Sequence, residues 1–270
     1  MARVIILLRS VLIQVLAFAG LGLFIVAAVK LWELGSSPSS SFSADGDGLG
    51  AGESTDEEMA EVDPRPVIIL DPGHGGKDGG TVAGGALEKA LNLDTAKRVG
   101  RLLEAGGVRV IYTREEDQFV ALSGRASLAN KFPSGLMVSI HHNASESAAP
   151  HGVETYYCFP KPASVARKQR ELFEAKGKEA FVDRRAEHLA MELQRAVCGA
   201  TGAADRGIKN KPFVVTRMVS APAVLVECGF LSNPSELRKL SSDSYREKLS
   251  RGIAEGLFAY LERVSGEPLY

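Results

Sequence analysis

The stretch VIILDPGHGGKDGG, Val67 to Gly80, sets four strand-forming residues ahead of an Asp-Pro-Gly turn and a single histidine among glycines. It reads as a β-strand that ends in a flexible loop exposing His74. Working outward, strand and helix patterns alternate. Glu88–Glu104 reads as a helix with Leu87, Leu91, Val99, Leu102 and Leu103 on one face and Gly106-Gly107 as its stop. Val108–Thr113, Leu136–Ile140, Val153–Cys158, Phe213–Thr216 and Ala223–Glu227 read as strands. Ser123–Phe132 reads as a short helix capped by Ser123. Helical stripes recur at Ala186, Leu189, Ala190, Leu193 and Val197, and at Leu249, Ile253, Leu257, Tyr260 and Leu261. The pattern predicts an α/β fold: a mixed, mostly parallel sheet with helices on both faces, in one domain over residues 66–264. The charged stretch Lys161–Lys178 reads as a surface helix inserted into that domain.

The chain has 270 residues and a formal net charge of −1, but the charge is uneven. Residues 1–65 hold nine acids and four bases, which leaves 24 acids and 28 bases in the remainder, a net of +4. That tolerates an anionic partner and is too weak to argue for nucleic acid. Three cysteines, Cys158, Cys198 and Cys228, show no CxxC spacing and read as mostly buried thiols.

Ser10–Val29 carries no charge and follows Arg3 and Arg9. As a helix it spans roughly 30 Å, the hydrocarbon thickness of a bilayer. Residues 1–34 therefore read as a transmembrane signal anchor or a signal peptide, with the rest of the chain outside the cytoplasm. Residues 35–65 are rich in Ser, Gly and acids, without apolar periodicity, and read as a disordered tether.

Three apolar strands each end on polar residues able to do chemistry: Asp71 and His74 after VIIL, His141, His142 and Asn143 after LMVSI, and Glu227 after AVLV. Ligands bind beyond the carboxyl ends of strands in open α/β sheets, so neighbouring strands would make His74, His141 and Glu227 converge. Glu88 opens the first helix behind a glycine-rich loop that could return it to His74. It could equally be a carboxylate favoured at a helix start. Alternation along a strand lets only one of His141 and His142 face a shared centre, and turns Cys228 away from Glu227 into the core.

The run DPGHGG, then LEKALNL, Arg125-x3-Ala129-Asn130, SIHHNA and PAVLVECGFLSN resembles the zinc-dependent N-acetylmuramoyl-L-alanine amidases, from Val67 to Leu261. The resemblance implies His74, Glu88 and His141 as ligands of Zn2+ and Glu227 as the catalytic glutamate. The implied reaction is hydrolysis of the amide between N-acetylmuramic acid and the L-alanine of the peptidoglycan stem peptide, during wall remodelling or cell separation. Two His and one Glu leave a fourth zinc position open, and bound water there reaches a pKa of about 7. The alternatives are a wall-binding or regulatory module without catalysis, and a zinc peptidase cutting within the stem.

His142 reads as a packed residue or a support for a ligand, and Asn143 as orienting a ligand or meeting substrate. Arg125 reads as orienting a substrate carboxylate or bracing the fold, and Glu154 as an edge or solvent residue or a catalytic one. His151 and His188 match no ligand position, and His188 reads as exposed. The implied setting is the bacterial cell envelope, with peptidoglycan as substrate, membrane contact through the N-terminal helix, and an activator protein as a further partner. Some members of the resembled family carry an inserted helix that covers the site. Residues 161–178 lie in a comparable region and read as such a gate or as a simple solvated helix.

Overall fold

The computed structural model describes residues 63–174 and 183–265. The anchor expected at 1–34, residues 35–62 of the tether, and 175–178 of the charged insert lie outside them. Among the described residues no helix is long and apolar enough to cross a membrane.

Strand β1 (Val67–Pro72) leads through a small hairpin, β2 (Val82–Ala83) and β3 (Ala86–Leu87), into helix α1 (Glu88–Ala105). There follow β4 (Arg109–Tyr112), α2 (Leu122–Ala129), β5 (Leu136–Asn143), β6 (Val153–Tyr157) and α3 (Ala163–Glu174). The chain continues with α4 (Arg185–Thr201), β7 (Asp205–Asn210), α5 (Val214–Arg217), β8 (Ala223–Phe230), α6 (Pro234–Leu240) and α7 (Asp243–Ser265).

Six strands form one sheet in the order β4-β1-β5-β8-β6-β7. β4, β1, β5 and β8 run parallel, β6 is antiparallel to β8, and β7 is parallel to β6. The sheet is thus mixed and mostly parallel, as the alternating pattern predicts. The chain leaves β1 toward β4 on one side and returns to β5 on the other. That reversal opens a crevice beyond the carboxyl ends of β1 and β5, the place where such sheets bind ligands.

Side-chain alternation divides the core into two layers. Ile68, Leu70, Val138, Ile140, Val224 and Val226 pack against α1, α4 and α7 through Val99, Leu103, Leu189, Leu193, Leu249 and Ile253. Ile69, Met137, Ala223 and Leu225 pack on the opposite face against Ala126 and Ala129 of α2 and Val215 of α5. Truncating one such fully buried leucine or isoleucine to alanine typically costs 2–5 kcal/mol, about the scale of a layer contact.

Several sequence expectations are corrected. Phe213–Thr216, expected as a strand, is the start of the one-turn helix α5, in which the Thr216 hydroxyl donates to the Phe213 carbonyl. Packing of Val215 into the second core layer overrides the β-branched preference of the segment. The strand in that region is β7, whose sequence DRGIKN lacks an apolar alternation because it lies at the edge of the sheet. Helix α2 begins one residue before Ser123, with Ala121 at the cap position and no side-chain cap. β5 runs on through His141, His142 and Asn143, because β8 continues beside it. Cys158 and Cys228 are buried and Cys198 is half-buried; all three are free. His188 is half-buried rather than exposed.

The described part of the insert packs beside the start of β8. Lys161 Nζ donates to the carbonyls of Val219 and Ala221, and Gln169 Nε2 to that of Ser220. These carbonyls precede β8, at the end of the sheet opposite Glu227. The described part of α3 lines no part of the crevice, and Arg167, Lys168, Arg170 and Glu171 face solvent.

Candidate metal centre

The loop after β1 is held by two buried arginines. Arg125, from α2, donates to the Asp71 carboxylate at 2.6 Å and to the carbonyls of Pro72 at 2.7 Å and His74 at 2.6 Å. Asp71, fully buried, also accepts from the hydroxyls of Thr113 at 2.5 Å and Ser139 at 2.7 Å. Arg114 donates to the carbonyls of Pro72, Gly73, Glu116 and Lys89 at 2.8–3.0 Å. Arg125 is buried and braces the loop through these partners. Breaking a buried ion pair by removing one partner costs about 3–5 kcal/mol. Asp71→Asn is expected to lower the unfolding free energy by that order, read by urea denaturation.

Held this way, His74 adopts φ 59, the one positive value outside glycine among the described residues. That left-handed conformation is uncommon for a residue with a side chain, and the surrounding hydrogen bonds offset its cost. The Gly84-Gly85 turn, with φ of 53 and 82, lets β2 and β3 fold back within two residues. The hairpin returns the chain so that Glu88 N–H donates to the Thr81 carbonyl at 2.9 Å. Glu88 thus swings back over the glycine loop.

Glu88 Oε1 lies 3.1 Å from His74 Nε2 and 3.1 Å from His141 Nδ1. Its Oε2 accepts from the Thr81 N–H at 2.8 Å. One donor atom from each of His74, Glu88 and His141 lies within 4.8 Å of the others. Bonds of 2.0–2.1 Å around a tetrahedral zinc put neighbouring donors about 3.3 Å apart, so the residues present fit such an ion. Burial alone would raise the Glu88 pKa, but hydrogen bonds from His141 and then His74 outweigh it and hold the carboxyl well below its usual range. The same carboxylate, against the opposing effect of burial, raises His74 to about 9, with Asp78 assisting. Asp78 Oδ1 is 2.9 Å from His74 Nδ1, although that nitrogen lacks a hydrogen bond of good geometry.

His141 and His142 diverge as alternation requires. His142 is fully buried on the α1 side, its Nδ1 2.7 Å from Asn92 Oδ1, and burial lowers its pKa to about 4. Asn92 Nδ2 donates to the Gly73 carbonyl at 3.1 Å, so neutral His142 supports the loop through Asn92. A Cβ on Gly73 would lie 2.2 Å from His141 Cε1 and Nε2. Gly73→Ala is therefore expected to displace the His141 ring and lower turnover about 100-fold, measured with the circular dichroism spectrum unchanged.

Glu227 stands beside His141 in the β5–β8 register. The residue is partly exposed, but its Oε2 is shut off from solvent and has no hydrogen-bond partner. Burial pushes its carboxyl up to about 7; His141 opposes this, and Glu88 and Glu154 add to it. His74, Gly80, Thr81, Glu88, His141, His142, Asn143, Ala144 and Glu227 line an open cavity of about 350 Å³.

Glu154 is neither an edge nor a solvent residue. It is buried opposite Glu227 on β6 and accepts from Asn143 Nδ2 at 2.9 Å, Tyr156 Oη at 2.5 Å and Arg206 Nε at 2.7 Å. Asn143 lines the cavity from this contact. Cys228 points into the core, and His151 is exposed. The sequence reading missed Arg114 and Asn92. A charged residue just past a strand, and an amide within a helix, carry no spacing signal of burial.

Two histidines, one carboxylate and a second, unbonded carboxylate at adjoining strand ends make the donor set of a hydrolytic metal centre with an acid–base group beside it. A family model described as N-acetylmuramoyl-L-alanine amidase (Amidase_3) matches residues 68–259, and the chain belongs to this family. It is 34% identical over 194 residues to the N-acetylmuramoyl-L-alanine amidase LytC of Bacillus subtilis, covering 72% of this chain and 35% of LytC. The germination-specific N-acetylmuramoyl-L-alanine amidase of the same organism is 34% identical over 218 residues, covering 75% of this chain and 82% of that protein. The chain thus spans about a third of LytC but most of the second relative.

Among solved structures, an N-acetylmuramoyl-L-alanine amidase from Clostridium difficile 630 matches with a TM-score of 0.63 at 33% identity, covering 73% of this chain and 97% of that one. The CwlD amidase from Clostridioides difficile, solved in complex with the GerS lipoprotein, matches with a TM-score of 0.63 at 27% identity, covering 74% of this chain and 100% of that one.

Proposed function

We propose that this protein is a zinc-dependent hydrolase of the amide between N-acetylmuramic acid and L-alanine in peptidoglycan. The observation that carries the reading is the meeting of His74, Glu88 and His141 donor atoms within 4.8 Å, with Glu227 next in register. His74, Glu88 and His141 would hold the zinc. Zinc in that position supplies a Lewis acid that polarises the scissile carbonyl and acidifies an attacking water.

The rest of the chemistry belongs to the chain. Glu227 takes a proton from the attacking water and gives it to the departing amine of L-alanine. Asn143 presents its amide to the cavity from the Glu154 contact. Arg125, Arg114 and Asn92 hold the carbonyls of the His74 loop.

The proposed setting is the bacterial cell envelope. Residues 1–34 anchor the chain in, or export it across, the cytoplasmic membrane, and residues 35–65 tether the domain 66–264. A flexible tether of that length has a reach of roughly 30 Å. The role is wall remodelling or cell separation. An activator protein is part of the proposal, supported by the complex of CwlD with the GerS lipoprotein.

The test incubates zinc-loaded protein with purified peptidoglycan and follows the products by mass spectrometry. Release of intact stem peptides with free L-alanine amines is expected. Shortened stems would point to a peptidase, and wall bound but uncut would point to a binding module.

A further inference from the structure

β7 breaks strand alternation beside the centre. Val153 pairs with Asp205 and Thr155 with Ile208, so two steps along β6 match three along β7. The extra residue falls at Arg206-Gly207, where Gly207 has φ 77, the left-handed backbone that a bulge of this kind uses. In a regular strand, residues 206 and 209 would face opposite sides of the sheet. The bulge instead brings Arg206 and Lys209 to one carboxylate. Arg206 Nε lies 2.7 Å from Glu154 Oε2, and Lys209 Nζ contacts the same oxygen. Bulges recur next to active sites, where they re-aim a side chain.

Glu154 faces Glu227 across the β6–β8 ladder. Arg206 is therefore two strands from Glu227, roughly 10 Å at the usual strand spacing. Its guanidinium stacks on Phe230, 4.8 Å from the ring centre, and its side chain is 34% exposed. Among the described residues only its Nε has a hydrogen-bond partner, so both terminal nitrogens are left to take a ligand. Lys211 lies over Tyr156 at 5.4 Å and adds a further positive charge to this ledge.

We propose that Arg206 is a specificity residue whose guanidinium takes a free carboxylate on the leaving peptide, one or two residues past the scissile amide. The inference rests on the amide hydrolysis proposed above. An N-acetylated sugar is uncharged, whereas a peptide presents carboxylates, so a basic ledge beside the centre selects the peptide side. The planar fork suits a carboxylate bidentately, and Glu154 with Phe230 holds it ready. Glu154, which touches no reacting atom, acts as a positioning residue.

The experiment offers the full-length, zinc-loaded protein two forms of one peptidoglycan, with the glutamate α-carboxylates of the stem free or amidated, and compares initial rates of peptide release. The wild type is expected to prefer the free acid by at least about tenfold, the scale of a hydrogen bond to a charged group. Arg206→Gln is expected to bring that preference close to one, with metal content and melting temperature held. Should that variant melt early, Arg206→Lys carries the same test, since it keeps the charge and loses the fork, and the preference falls. No release by the wild type from either form overturns the amidase reading and this inference with it. Release without preference, or an equal fall on both forms in the variants, overturns this inference alone.

Discussion

Glu227→Gln is expected to remove 10²–10⁴-fold of the rate, the usual contribution of a positioned acid–base group, while zinc content stays at the wild-type level. The same substitution is expected to stabilise the metal-free protein. Burial holds the Glu227 carboxyl at about 7 in the folded chain, against an ordinary value of 4.5. The folded state therefore binds more protons than the unfolded state between those values. Stability falls as pH rises through that window, and the full deficit is present above pH 7. The shift corresponds to at most about 3 kcal/mol, and glutamine avoids it. Urea denaturation in chelator should show the variant equal to wild type near pH 4 and more stable at pH 8. A cation in the centre favours the ionised glutamate, so the gain should shrink when zinc is restored. A variant no more stable than wild type at pH 8 would contradict the burial argument.

Glu88→Gln is expected to be as damaging by a different route. Glu88 Oε1 contacts both histidine rings, so its loss removes a charge and disturbs two neighbours. Metal affinity should fall at least about 100-fold, beyond the 10–100-fold lost when only an outer support of a ligand is changed. Competition with a chelator measures it directly. In the metal-free state His74 should lose most of its elevation to about 9, visible as a shifted imidazole proton resonance. Unchanged zinc affinity would remove Glu88 from the ligand set.

The strand ends were legible because apolar runs stop abruptly on residues that do not belong in a core. VIIL before Asp71, LMVSI before His141 and AVLV before Glu227 carry both the sheet and the convergence in their pattern. That only one of His141 and His142 faces the centre was legible too, because period-two alternation is geometric; which of them does so was implied by the resemblance alone. What escaped was anything without apolar period. The β7 segment DRGIKN is polar, edge-placed and bulged, so it imitates a loop. Arg114 looks solvated in sequence, yet it is 1% exposed, since its partners are backbone carbonyls that no side-chain pattern reveals. The Phe213–Thr216 segment failed in the opposite sense: its β-branched residues matched a strand, and tertiary packing made it a helical turn.

The three donors of the centre come from the loop after β1, the start of α1 and the end of β5, with Glu227 supplied by β8 much later in the chain. No two of them are close enough in sequence to form a chelate in the extended chain. A metal that binds only the assembled sheet adds its full binding free energy to the native state and none to the denatured one. The consequence is a safeguard in time. On the proposed reading, a chain exported in extended form would carry the separate parts of the centre and no working copy of it, so ion capture would wait until the sheet closes.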